Sequence, residues 1–187
     1  HRLPRKSGFR QSNDHPVVGV SRADAQAFCE WLTKKERGAE RIGESHRYKL
    51  PSDHDWSALV GLSEQLEVSP SKRDHQAQKD DSMGNQFLWG EEFPPQEKFA
   101  NLAGESAARA VGVSKSRTIA GYDDGFDKTS PVGSFAANDL GIYDLCGNVY
   151  EWVDTDYKEG SGLAVSRGGS WASFTKNHLR VWSRFPM

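Results

Sequence analysis

Two stretches of the chain carry apolar residues at helical spacing. In the first, Phe28, Trp31 and Leu32 share a face behind Ser21-Arg-Ala-Asp24, which reads as a capping box with Ser21 as N-cap and Asp24 three residues on. This helix is predicted to fade near Gly38, with Cys29 on its apolar side as a buried free thiol. The second begins at Pro51-Ser52-Asp-His-Asp55, again a serine cap with an acid three residues on. Trp56, Leu59 and Val60 form its stripe, and Tyr48-Lys-Leu50 reads as a short extended lead-in.

Elsewhere the periodicity breaks down. Ser63 to Ser82 is polar and charged, with no apolar period, and is predicted to be a surface excursion. Phe87-Leu-Trp89-Gly90 returns to the core. Residues 91–130, with Pro94-Pro95 and scattered glycine, read as a long ordered loop or a set of short turns anchored by Phe93, Phe99, Tyr122 and Phe126. Short strands are predicted from Val132 to Phe135, Val149 to Val153 and Val165 to Arg167. The fold class is therefore α+β: two helices, a few short strands and much loop.

The length of 187 residues suits one domain with a sizeable core. A mean hydropathy of −0.73 and 18 glycines fit a loop-rich one. The formal charge of −2 and the absence of a Lys/Arg run argue against a nucleic-acid or anionic-membrane partner. No stretch approaches the roughly 20 apolar residues of a membrane span. Cys29 and Cys146 make no disulfide framework, and no signal peptide is visible at His1. That usage is compatible with a cytoplasmic setting but fixes no compartment, and the oligomeric state is open.

The stretch from Gly141 to Trp152, Gly-Ile-Tyr-Asp-Leu-Cys-Gly-Asn-Val-Tyr-Glu-Trp, concentrates the candidate chemistry. Carboxylate and amide oxygens on a tight glycine turn suit a hard cation such as calcium, and the aromatics supply a core to hold the turn. Ser166-Arg-Gly-Gly-Ser-Trp171 follows as a second compact signature. The segment from Trp171 to Arg184 mixes aromatics and arginine with small polar residues, as binding surfaces do. His46, His54 and His178 lack metal-ligand spacing. No nucleophile elbow, phosphate-binding glycine loop, zinc-protease helix or Cys-x-x-Cys pair is present.

Taken in order, these segments resemble the formylglycine-generating enzyme/sulfatase-modifying-factor family, whose fold is a variant of the C-type lectin fold. The matching residues are His15-Pro-Val-Val-Gly-Val-Ser21 with Ala25 to Trp31, Tyr48 to Trp56, Trp89-Gly90, Pro131 to Phe135, Gly141 to Trp152 and Arg167-Gly-Gly-Ser-Trp171. The resemblance implies one domain over residues 1–187, expected to lack part of the family's N-terminal strands and its last C-terminal strand. A diversity-generating-retroelement variable protein is a possible relative within this group.

The resemblance also implies two structural calcium sites. One would use the Asn101 side chain, the Leu102 carbonyl, the Asp124 side chain and the Phe126 carbonyl. The other would use Asp144, the Gly147 and Val149 carbonyls and Glu151. In the family's oxidases, two cysteines five residues apart bind copper(I). The matching positions here are Ser173 and His178, which offer no thiolate pair for a soft cation, so no copper is expected. By the same resemblance Trp171, Ser173, Phe174, His178, Trp182 and Arg184 line a ligand face, with Trp171 the residue most expected in the core. The reading favoured is a non-oxidase domain that recognises a protein, peptide or glycan. The alternatives are a formylglycine-generating-type or iron-dependent oxidoreductase of the same family with another constellation, and a regulatory module fused to a kinase or other effector.

Overall fold

The computed structural model describes residues 8–63, 68–79, 86–109 and 113–187. Both predicted helices are present with their caps. Helix α1 spans Arg22–Gly38 and α2 spans Asp53–Leu59. In each, the N-cap serine hydroxyl accepts from the backbone of the third residue, and that residue's carboxylate accepts from the N-cap backbone. Two orphan donors are satisfied at each helix start.

The predicted stripe of α1 is not its packing face. Phe28 and Trp31 are exposed, and the buried residues are Thr33 and Glu36. Polar anchoring decides this: Thr33 Oγ1 donates to the Cys29 carbonyl and accepts from Tyr48 N at 2.9 Å, while Glu36 is gripped by Arg41. Cys29 is accordingly only half-buried rather than internal, while Cys146 is buried, and both thiols are free. Burial raises the pKa of the Cys146 thiol to about 12, with the nearby Glu151 carboxylate adding to it.

Three further short helices occur among the described residues. Helix α3 spans Pro70–Lys79, inside the stretch predicted as a surface excursion; residues 64–67 and 80–82 of that stretch lie outside the described residues. Proline at its first position suits a helix start, and Asp74 accepts from the Tyr157 hydroxyl at 3.1 Å, which ties the helix to the domain. Helix α4 is Glu105–Arg109, followed by a 3-10 turn at Lys115–Arg117, and α5 is Lys176–Leu179.

The sheet is antiparallel, in the order β1 (Glu151–Asp156), β2 (Ala164–Arg167), β3 (Phe185–Pro186). Trp152 pairs with Ser166, and Ser166 with Phe185. The strand expected from Val132 to Phe135 is instead a turn: Gly133 takes φ +71° and the Ser134 hydroxyl donates to the Pro131 carbonyl. Three apolar clusters form the core, around Phe87–Leu102–Tyr122–Cys146, Trp56–Val153–Val165 and Ala77–Val181–Trp182, and Leu88 packs against all three.

One buried charge network joins these layers. Asp53, fully buried at the start of α2, receives the Arg167 guanidinium from β2, Arg184 Nε at 2.9 Å and Arg73 from α3 at 3.0 Å. Burial alone would raise the pKa of its carboxyl, but the charges and hydrogen bonds of Arg167 and Arg184 outweigh that and hold it below the ordinary value. The Arg167 guanidinium also lies over the Trp56 ring, 4.2 Å from its centroid.

Candidate functional site

The turn through Asp144, Gly147 and Asn148 is built from left-handed backbone, with φ of +58°, +78° and +54°. Side chains hold that shape. Asn148 is buried; its Oδ1 accepts from Ser130 N at 3.2 Å and its Nδ2 donates to Ser130 O at 3.3 Å. Asp144 Oδ2 accepts from Gly133 N at 2.8 Å. Gly147 is required for a second reason: a Cβ there would stand 2.2 Å from the Asn101 carbonyl oxygen. The backbones of the two loops expected to hold calcium touch at this point, with Asn148 N donating to Asn101 O at 2.8 Å.

Asp144 and Glu151 line one cavity of about 490 Å³, with Asn148, Val149, Gly133 and Tyr143 around it. Glu151 Oε2 accepts from Trp56 Nε1 at 2.6 Å. Burial drives the Glu151 pKa up to about 7; the indole N–H opposes this and the Asp144 charge adds to it. Two carboxylates thus line one cavity whose described lining has no cationic side chain, a donor set that would suit a hard cation with backbone oxygens completing its shell. Among the described residues, no third His, Cys, Asp or Glu joins them.

In the other loop, Asn101 and Asp124 are both buried. Asp124 Oδ2 accepts from Leu102 N at 2.7 Å and its Oδ1 from Phe126 N at 2.8 Å. Burial raises the Asp124 pKa, and the nearby Asp123 charge adds to this against the hydrogen bonds and Lys98. The Asn101 amide nitrogen donates to Lys128 O at 2.9 Å, while its oxygen is buried without a protein partner. The group of Asn101 that faces Asp124 is its amide nitrogen, 3.4 Å from Oδ2, so the orphaned amide oxygen and the carboxylate are oxygen donors of the kind a hard cation would use.

The Trp171–Arg184 segment is gripped by its main chain. Trp171 N donates to Asn148 O at 2.9 Å, and Ser173 O accepts from Ala103 N at 3.1 Å. Its side chains divide into two groups. Trp171 is half-buried, edge-on to Phe9 at 5.8 Å, rather than in the core. Phe174 and His178 are half-buried, with the Arg117 guanidinium 5.7 Å from the Phe174 ring and the His178 ring between Phe174 and Phe185. Burial lowers the His178 pKa.

Ser173, Trp182 and Arg184 are internal, which corrects the expected ligand face. Ser173 Oγ accepts from Ser170 N at 3.0 Å, Trp182 packs with Ala77 and Val181, and Asp53 draws Arg184 inward. Helix α5 also replaces the alternation that would have aligned Phe174, Lys176, His178 and Arg180. Two residues not singled out from sequence join the outward group: Tyr150, whose hydroxyl lies 3.4 Å from Ser173 Oγ, and Phe185, 5.0 Å from the Tyr150 ring. Tyr150 lies inside the 141–152 motif, so its position was available there. Phe185 had no sequence signal. The Ser173–His178 positions provide no thiolate, and Cys29 and Cys146 lie on α1 and in the core, so the donor set does not fit a copper(I) bis-thiolate.

With this geometry in hand, comparison with known proteins fixes the family. The sulfatase-modifying factor enzyme 1-like domain matches residues 1–185, and the chain belongs to that FGE-sulfatase family. It is 31% identical over 192 residues to the inactive C-alpha-formylglycine-generating enzyme 2 of Bos taurus, covering 95% of this chain and 47% of that protein. It is 29% identical over 154 residues to the formylglycine-generating enzyme of Mus musculus, covering 80% of this chain and 29% of that one. The chain therefore spans about half the length, or less, of these curated relatives. Among solved structures, Treponema denticola variable protein 1 superposes with a TM-score of 0.58 at 18% identity, covering all of this chain and 69% of that one. The shared fold agrees with the α+β, C-type-lectin-like class that the motifs imply. No helix among the described residues is long and apolar enough to cross a membrane.

Proposed function

We propose that this chain is a recognition domain without oxidase chemistry. Its ligand face is Trp171, Phe174 and His178 with Tyr150 and Phe185, and structural calcium stiffens the two loops behind it. The observation that carries the reading is the half-buried aromatic and imidazole group standing at the Ser173–His178 positions, where the donor set offers no thiolate pair. Rigid rings give contact area at low entropic cost, and a neutral imidazole adds a donor and an acceptor. Similarity to a relative named inactive supports the absence of oxidase activity. The ligand class that fits is a protein, peptide or glycan presenting an apolar or ring-shaped group with hydrogen-bonding edges.

If calcium is bound, Asp144 and Glu151 with the Gly147 and Val149 carbonyls would hold one ion, and Asn101 and Asp124 with the Leu102 and Phe126 carbonyls the other. The ion's contribution is charge neutralisation and loop rigidity. The test has two arms. Binding to arrayed glycans and displayed peptides is expected to yield ligands whose affinity falls at least about tenfold in Phe174→Ala and in His178→Ala. Ligands indifferent to both substitutions would refute the assigned face. Separately, calcium is expected to raise the melting temperature over EDTA, and Glu151→Ala to reduce that response; identical melting curves would remove the calcium assignment.

A further inference from the structure

The two loops that carry the oxygen donors are joined through their main chains, and the joint runs from one donor set to the other. In the 144–151 turn, the Gly147 carbonyl and the Asn148 N–H are the two ends of one peptide unit. Asn148 N donates to Asn101 O at 2.8 Å. The Asn101 carbonyl belongs in turn to the peptide unit that ends in the Leu102 N–H, and Leu102 N donates to Asp124 Oδ2 at 2.7 Å. Gly147 O and Asp124, one donor from each set, are thus connected by two peptide units and two hydrogen bonds. A peptide unit is planar and rigid, so turning the carbonyl at one end turns the N–H at the other. Asn101 and Gly147 also pair as a parallel bridge, where only a residue without Cβ fits against the Asn101 carbonyl.

Residues 128–130 tie the same loops together a second time. Asn101 Nδ2 donates to Lys128 O at 2.9 Å, while Asn148 exchanges hydrogen bonds with the Ser130 backbone at 3.2 and 3.3 Å. Both asparagines are buried. A change of shape in one loop is therefore felt in the other.

We propose that the two loops bind calcium as a positively coupled pair, occupation of one donor set preparing the other. The inference rests on the calcium reading above and adds to it the dependence of each set on its neighbour. Holding Gly147 O on an ion fixes the peptide plane that it shares with Asn148 N–H. That bond orients Asn101 O, and with it the Leu102 N–H that steadies Asp124. The second set then loses less conformational freedom when it fills. Polarisation along the chain of hydrogen bonds acts in the same direction, since charge at Gly147 O makes Asn148 N–H the stronger donor. Each set has its own carboxylate, Asp144 and Glu151 in one and Asp124 in the other. Each ion's charge is answered locally, which limits repulsion between the two.

Calorimetric calcium titration of the 187-residue chain against a competing chelator tests this. Two ions are expected to bind with a Hill coefficient above one. Glu151→Gln, which keeps an acceptor for Trp56 Nε1, disables one set, and Asp124→Asn disables the other. The site left in each is expected to bind at least about fivefold more weakly than the wild-type pair, in both directions because coupling is reciprocal. Circular dichroism and calcium-free melts confirm that the variants fold, and Asp144→Asn replaces Glu151→Gln if that variant does not. A second readout is the amide NMR spectrum of Glu151→Gln. There the Asn148 resonance is expected to move as the 101–126 set fills, while the Tyr48 amide, held by Thr33 on α1, stays in place. Uptake of a single ion, independent binding of two, or a remaining site of wild-type strength in either variant would overturn the coupling and leave calcium binding itself standing. Absence of any calcium uptake would overturn both.

Discussion

Replacing Asp53 with asparagine removes a buried carboxylate on which the Arg73, Arg167 and Arg184 guanidiniums converge. The side chain is fully buried, so water cannot take the carboxylate's place. Breaking a buried pair by removing one partner costs about 3–5 kcal/mol, because a charge is left uncompensated. Here Asp74 lies close enough to Arg184 and Arg167 to temper their excess charge, and the amide oxygen still accepts one bond, so the lower half of that range, about 3–4 kcal/mol, is expected. Against a total stability of about 5–15 kcal/mol this is a large fraction. For a domain of this size it corresponds to a fall of about 6–16 °C in melting temperature. Urea unfolding followed by tryptophan fluorescence gives the free energy, with Trp56 beneath the Arg167 guanidinium as an internal reporter. The control is Lys49→Ala, which removes an exposed pair with Asp55 and should cost under about 1 kcal/mol. The pH dependence supplies a second check. The Asp53 pKa is depressed in the folded state, so its stabilisation is present above the unfolded value of about 3.9 and is lost as pH falls through the folded value. The gap between wild type and Asp53→Asn should therefore be constant from about pH 5 to 7 and close only in stronger acid. A loss below about 1 kcal/mol at neutral pH, with an unchanged denaturant slope, would refute the account of the network.

Gly147→Ala should cost more than about 2 kcal/mol, since it adds a Cβ–carbonyl collision at 2.2 Å to the strain of a φ of +78°. Gly141→Ala, with φ +75° and nothing within 4 Å of its Cβ, should lose about 1 kcal/mol from the backbone alone; equal losses in thermal melts would contradict the packing argument. A sulfatase-type cysteine peptide incubated with copper and this protein should remain unconverted by mass spectrometry, and turnover above the copper-only background would show that a thiolate pair is not needed here.

Local features were the most legible in the sequence. Both capping boxes involve residues three apart, and both helices begin where they were placed. The face that α1 buries was not legible, because periodicity shows which residues share a side but not which side meets the domain. Helix α3 was missed because its short apolar content has no period: Ala77 packs inward, and Asp74 binds Tyr157 across 83 residues. Within the candidate site, the oxygen-rich turn at 144–151 could be read from residue type. The indole bond from Trp56 to Glu151, 95 residues away, could not. Trp182 and Arg184 were assigned to a ligand face on chemistry alone, and arginine is as apt for a buried carboxylate as for a ligand. Its actual partner, Asp53, lies 131 residues upstream.

The main-chain grip on the Trp171–Arg184 segment has a consequence for how such a domain can change over time. The bonds from Trp171 N to Asn148 O and from Ala103 N to Ser173 O are blind to side-chain identity. The frame beneath them is not, since the Ser130–Asn148 and Gly133–Asp144 tethers need those particular groups. Mutational tolerance is thereby separated in space: exchanges at positions 171 and 178 leave these main-chain bonds in place, whereas Phe174 packs against the Phe87–Leu102–Tyr122 cluster and is tied to the core. Those two positions could therefore be randomised in a combinatorial library with the frame held constant, and a lineage could alter what the surface meets without renegotiating the fold.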